Sequence, residues 1–233
     1  MNNQTKNPSP VVSLFDVDNT LLDNDRIIEE LRTHLRQKCG LKQEEEYWAI
    51  FDQLREELGY ADYLGALQRY RQRYPRDPHL LVVSYFLLEY PFADRLFPKV
   101  LEVLQHAKQW GPVVILSDGD VIFQPRKVER SGLSRAVDGN VLIYVHKEQQ
   151  LEDVEERYPA RHYILVDDKL RILAAVKNSW GARVTTVFPR QGHYAHDPRI
   201  LASYPPAEVT LEKIADLLDY DMPRLVAQTQ PHT

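Results

Sequence analysis

Apolar and polar positions follow two regimes along the 233 residues. Short continuous apolar runs rich in β-branched residues occupy 11–15, 113–116, 141–145, 163–166 and 184–188, and they predict strands buried on both faces, as in a parallel sheet. The stretches between them carry apolar residues at helical spacing. Ile27, Ile28, Leu31 and Leu35 mark a first helix, with N-cap candidates at Asp23, Asn24 and Asp25 and an end at Gly40. Further helices are predicted over 43–58, 61–74, 78–89 and 98–110, punctuated by Gly59, Pro75, Pro91 and Gly111-Pro112. After the second strand the pattern predicts helices over 124–131, 148–157, 169–180 and 211–218, and a frayed tail over 221–233.

Roughly a hundred residues separate the first strand from the second, where a parallel crossover needs only about a dozen or somewhat more. The surplus predicts a helical unit over 23–92, inserted into a core made of 1–22 and 93–233. The alternative is that these helices extend the core. The insertion is rich in tyrosine, among them Tyr47, Tyr63 and Tyr85, whose apolar ring and polar tip suit either packing or a substrate wall.

Polar residues cluster where the strands end. Asp16 and Asp18 follow the first strand at i, i+2, so extended geometry aims both the same way. Paired carboxylates repel and imply a cation or a shared proton, although Asp, Asn and Thr also suit a plain turn. Ser117-Asp118-Gly119 follows the second strand, Lys147 the third, and Asp167-Asp168 the fourth. Parallel strands bring their carboxyl ends to one edge, where α/β sheets bind ligands. Lys127, on the helix after Ser117, competes with Lys147; placement between strand and helix favours Lys147. His193 and His196 lie in the loop after the fifth strand. Without a third ligand they suit a substrate-side role better than a metal.

Asp16-Val17-Asp18-Asn19-Thr20-Leu21, Ser117, Lys147 and Asp167-Asp168 together resemble the motifs of the haloacid dehalogenase-like (HAD) superfamily over about residues 11 to 190. The resemblance implies an α/β fold: a Rossmann-like three-layer core with a parallel sheet and an inserted α-helical cap closing over the site. It implies a Mg²⁺-dependent phosphohydrolase that cleaves a small phosphate monoester through an aspartyl-phosphate. Asp16 would be the nucleophile and Asp18 the general acid and base. Ser117, Asp118 and Lys147 would hold the phosphoryl group. Asp16, the Asp18 backbone carbonyl, Asp168 and Asp167 would hold Mg²⁺, Asp167 directly or through water. A dehalogenase of the superfamily typically lacks the second acid of the first motif. A phosphomutase would share these residues, and a non-catalytic binding or regulatory protein would not need the full set.

Charge narrows the partners. A net charge of -5 argues against nucleic acid, which needs a basic face, and leaves a small phosphorylated metabolite as the expected partner. The single cysteine, Cys39, permits no intrachain disulfide and fits a reducing cytoplasm. The first ten residues lack the basic start and apolar core of a signal peptide, and no apolar run reaches the ~20 residues of a membrane span. Either a monomer or a homodimer is compatible with these features.

Overall fold

In β1 (Ser9–Phe15), Val12 and Leu14 point to one face of the sheet and Val11 and Phe15 to the other, and all four are buried. A strand with no polar face must lie mid-sheet. In the computed structural model, which describes residues 7–221 and Val226, β1 does so. It pairs in parallel with β2 (Val113–Asp118) and β4 (Ala160–Val166), Phe15 standing opposite both Ile115 and Val166. With β3 (Val141–Tyr144), β5 (Val184–Pro189) and β6 (Val209–Leu211) the sheet has six parallel strands in the order β3-β2-β1-β4-β5-β6. The chain winds outward from β1 to β3, then returns to β4 on the other side. The strand ends at this switch point are those of β1, β2 and β4.

Before β2 come α1 (Asn24–Cys39), α2 (Leu41–Leu58), α3 (Tyr63–Arg73), α4 (Leu80–Glu89) and α5 (Val100–Ala107). Later helices are α6 (Phe123–Arg130), α7 (Leu133–Ala136), α8 (Leu151–Arg157), α9 (Leu170–Trp180) and α10 (Pro198–Ser203). One face of the sheet packs on α8 and α9 through Val154, Leu173 and Val176; the other packs on α5 through Val103, Leu104 and Ala107. The result is the three-layer α/β architecture expected. Among the described residues no helix is long and apolar enough to cross a membrane.

Helices α1 to α4 pack on one another, burying Leu31, Trp48, Phe51 and Leu87. The same apolar cluster continues to α6, where Tyr63 and Phe92 both meet the Phe123 ring, at centroid distances of 5.1 and 5.8 Å. The two connections into this helical stretch run side by side. Leu22 bridges Leu96, the Asp23 N–H donates to the Arg95 carbonyl at 2.8 Å, and the Phe97 N–H donates to the Leu21 carbonyl at 3.0 Å.

Two expectations are corrected. The helix expected over 211–218 is strand β6 followed by a 3₁₀ segment over Ile214–Asp219. Leu211, Ile214 and Leu217 recur every three residues, which matches a 3₁₀ turn better than an α-helix. The helix expected over 148–157 is a 3₁₀ turn, Lys147–Gln149, and then α8. The tail expectation for 222–225 and 227–233 lies outside the described residues.

Candidate active site

The polar ends of four strands converge. Asp16, Ser117, Lys147, Asp167 and Asp168 are each at most 2 % exposed, so their charges and dipoles act on one another with little screening by water. The Lys147 ammonium donates to Asp16 Oδ1 at 2.5 Å and to the Leu116 carbonyl at 3.1 Å, and pairs with Asp167 Oδ2 at 2.6 Å. Its backbone N–H donates to Asp118 Oδ1 at 2.8 Å. The 3₁₀ turn at Lys147–Gln149 is therefore tied to β2 on one side and to the acids on the other. Burial works against the Lys147 charge, but Asp16, Asp167 and Asp118 outweigh it and hold its pKa well above the ordinary lysine value.

Asp16, Asp167 and Asp168 can each offer a carboxylate oxygen within 4.8 Å of the others. Asp16 Oδ2 and both oxygens of Asp168 have no hydrogen-bond partner. Buried polar atoms are almost always satisfied, so three orphaned oxygens in one carboxylate cluster need an explanation. Burial pushes the Asp168 carboxyl well above its ordinary pKa and Asp167 up to about 6, the latter against the pull of Lys147. A hard divalent cation would remove the strain, because an all-oxygen carboxylate set suits such ions. The residues present thus fit a metal. Asp167 is the most committed of the three: its Oδ1 accepts the Lys169 N–H at 2.8 Å and its Oδ2 faces Lys147. Asp168 is braced through its own N–H, which donates to Thr20 Oγ1 at 3.0 Å.

Asp18 is set apart from this cluster. Its Oδ1 accepts from Lys127 Nζ at 2.7 Å, and Lys127 donates also to Asn24 Oδ1 at 3.1 Å. Both lysines weighed from the sequence are fully buried, each on its own acid of the first motif. Directly after Asp18 the chain turns at Asn19, whose φ of 61° lies in the left-handed region. Asn tolerates that region better than most residues. Its side-chain oxygen also accepts the backbone N–H groups of Asn24 and Asp25, at 3.0 and 3.1 Å, where α1 begins. Ser117 Oγ accepts from Gln124 Nε2 at 2.9 Å, a contact made possible because Gln124 passes over Gly119 where a Cβ would come within 2.4 Å. The Asp118 carboxylate is engaged on Lys147, so its side chain serves to position that lysine.

A cavity of about 330 Å³ is lined by Asp18 and Asp118, by Tyr60 and Tyr63 from the helices between β1 and β2, and by Lys169, Tyr194 and Tyr204 from the later part of the chain. Tyr47 is not in this wall: it is buried, its hydroxyl donating to the Tyr63 carbonyl at 2.9 Å. Tyr85 is 65 % exposed on α4. Of the three aromatics singled out from the sequence, only Tyr63 faces the cavity. His193 contacts Asp25 at the start of α1, its Nδ1 lying 2.7 Å from Oδ1 and its N–H donating to Oδ2 at 2.7 Å. His196 is exposed, at the end of a 3₁₀ turn over His193–His196. Lys169 went unread in the sequence, although it directly follows the acid pair; burial works against its charge, but Asp168, Asp16 and Asp167 hold its pKa above the ordinary value. Gln124 had no sequence signal at all.

This arrangement of strands and acids agrees with the comparisons. The sequence profile of the haloacid dehalogenase-like hydrolases matches residues 12–179, and the chain belongs to that family. A haloacid dehalogenase-like hydrolase from Burkholderia xenovorans LB400 is 61% identical, with a TM-score of 0.89 over 92% of this chain and 100% of that one. The HAD-hydrolase YfnB from Bacillus subtilis, bound to magnesium, shares the fold at 14% identity and a TM-score of 0.59, covering 91% of this chain and 98% of that chain. L-2-haloacid dehalogenase from Xanthobacter autotrophicus, with chloropropionic acid covalently bound, does so at 16% identity and a TM-score of 0.58, covering 93% of this chain and 98% of that chain. No curated protein matches by sequence.

Proposed function

We propose that this hydrolase is a Mg²⁺-dependent phosphatase acting on small phosphate monoesters, with residues 23–92 as its cap domain. The observation that carries the reading is the pairing of two acids with separate surroundings: Asp16 among orphaned carboxylate oxygens and Lys147, and Asp18 on the cavity wall two residues later. One carboxylate oxygen of Asp16 would attack phosphorus, forming the aspartyl-phosphate as the ester oxygen departs, while its other oxygen would face the ion. Asp18 would give that oxygen its proton, then take one from the water that hydrolyses the acyl phosphate. Ser117 and Lys147 would stabilise charge on the phosphoryl oxygens, with Gln124 and Asp118 holding each in place. Asp16, Asp168 and the Asp18 backbone carbonyl would bind Mg²⁺, with Asp167 in support. Bound there, the ion would offset repulsion between the nucleophile and the phosphate dianion.

Asp18 favours this reading over dehalogenation, since halide needs no proton on leaving. The test is phosphate release from aryl and alkyl esters, with Mg²⁺ and with chelator, beside halide release from 2-chloropropionate. Metal-dependent phosphate release lost in Asp16→Asn supports the proposal. Halide release without phosphate release overturns it.

A further inference from the structure

Three cations reach the cavity: Arg55, Lys169 and Arg171. Two of them are answered by acids. Arg171 pairs with Glu148 at 2.5 Å, and Lys169 stands in the field of Asp168, Asp16 and Asp167. Arg55 is different. Among the described residues it has no carboxylate within ion-pair distance, and its one hydrogen bond goes to a neutral group, the Tyr194 hydroxyl. Of the other arginines in this stretch, Arg32 and Arg36 share the buried Glu44, Arg69 pairs with Glu57, and Arg73 with Glu46. Arg71 and Arg76, like the exposed Arg55, have no carboxylate partner among the described residues, but of these three only Arg55 lines the cavity. A guanidinium left with only a phenol, on the wall of the cavity that leads to the acids, is a fork without its planar anion.

Charge makes the same point from the ligand's side. A leaving group with an anion of its own would meet Asp18 and Asp118 on the cavity lining, and Arg55 is the lining cation that no acid answers among the described residues, free to offset that repulsion. About 330 Å³ is at the small end of ligand sites and suits an ester of few carbons. Resting on the phosphatase reading, we propose that Arg55 receives a second anionic group on the leaving group, a carboxylate or a further phosphoryl group, so that the substrates are short doubly anionic phosphate esters.

Matched ester pairs test this. 3-Phosphoglycerate against glycerol 3-phosphate isolates a carboxylate; propane-1,3-diol bisphosphate against 3-hydroxypropyl phosphate isolates a phosphoryl group. The wild type should prefer the charged member of at least one pair by about ten- to a hundredfold in kcat/KM, the size of one charge-assisted contact. The pair showing it identifies the anion. Arg55→Gln should erase that preference through KM, and Arg55→Lys should restore part of it. Calorimetric titration of the four esters into Asp16→Asn reads the same preference without turnover. Binding that favours the charged members there, with no phosphate release from the wild type, would retain the anion site while the phosphatase reading failed. No preference in either pair, or one that Arg55→Gln leaves intact, overturns the proposal.

Discussion

Asp18 shows how much a single residue's surroundings decide. Its carboxylate is fixed by Lys127, while its neighbour Asp16 is fixed by Lys147. Asp18→Asn keeps the backbone carbonyl and an oxygen for Lys127, so the fold and metal binding should persist. Turnover of alkyl esters should drop by roughly 10²–10⁴, and that of 4-nitrophenyl phosphate by less, because its leaving group needs little protonation. Equal losses for both would remove the acid role from Asp18. Away from the site, His162 gives a pH signature. It is buried between β1 and β5 with its Nε2 2.9 Å from Thr185 Oγ1, and burial, aided by Lys177, lowers its pKa. A pKa lower in the fold than in the unfolded chain means stability present above the unfolded value, ~6.5, and lost as pH falls through the folded one. Thermal melts from pH 7.5 to 5 should show a decline that is shallower in His162→Gln. At this scale the sequence was legible where a residue type sits at a strand end: Asp16, Ser117, Lys147, Asp167 and Asp168 all meet. It was not legible where contact depends on distant packing. Gln124 reaches the site from a helix whose orientation no local pattern encodes, and Lys127, weighed from the sequence as the rival of Lys147, holds Asp18 from that same helix.

Among the elements, α2 is placed with little tolerance. It ends at Gly59, whose φ of 79° requires the left-handed region and whose Cβ would come within 2.9 Å of the His146 ring, next to Lys147. Gly59→Ala adds a strained backbone and a clash between α2 and the loop after β3. The expected loss is about 1 kcal/mol or more in denaturant melts, and alkyl-ester turnover should fall with it because Tyr60 follows directly. Unchanged stability would show that His146 simply moves aside. The helices of the insertion could be read from periodicity and glycine or proline stops, and their observed bounds, such as α2 at Leu41–Leu58, differ by few residues. β6 could not. Three residues at a sheet edge carry too short a pattern to distinguish from the 3₁₀ segment that follows.

For the whole molecule, the proposed division of labour places phosphoryl chemistry in the core and leaving-group choice in residues 23–92. Tyr60→Ala, on the cavity wall, should reorder a panel of natural esters while altering 4-nitrophenyl phosphate hydrolysis less; Tyr85→Ala, on the outer surface, should leave the order as it was. A reordering by Tyr85→Ala would place the substrate elsewhere. The architecture as a whole was the most legible level, because buried strands, their polar ends and the long interval between the first two are all written in order along the chain. What the interval concealed was which aromatic side chains turn inward: Tyr47 and Tyr63 both lie on buried helix faces, and only three-dimensional packing separates them.

The paired connections at Leu22 and Leu96 have a mechanical meaning. A body tethered at two separated points cannot swivel without stretching one tether, whereas a body held by one ribbon has a single axis. The ribbon here is geared to the acids. Leu22 also bridges Asp18, and its carbonyl accepts the Asn19 N–H at 2.7 Å. Any swing of residues 23–92 about that axis would be transmitted to the turn carrying Asp18, so that tilting the lever and aiming the proton would be one movement.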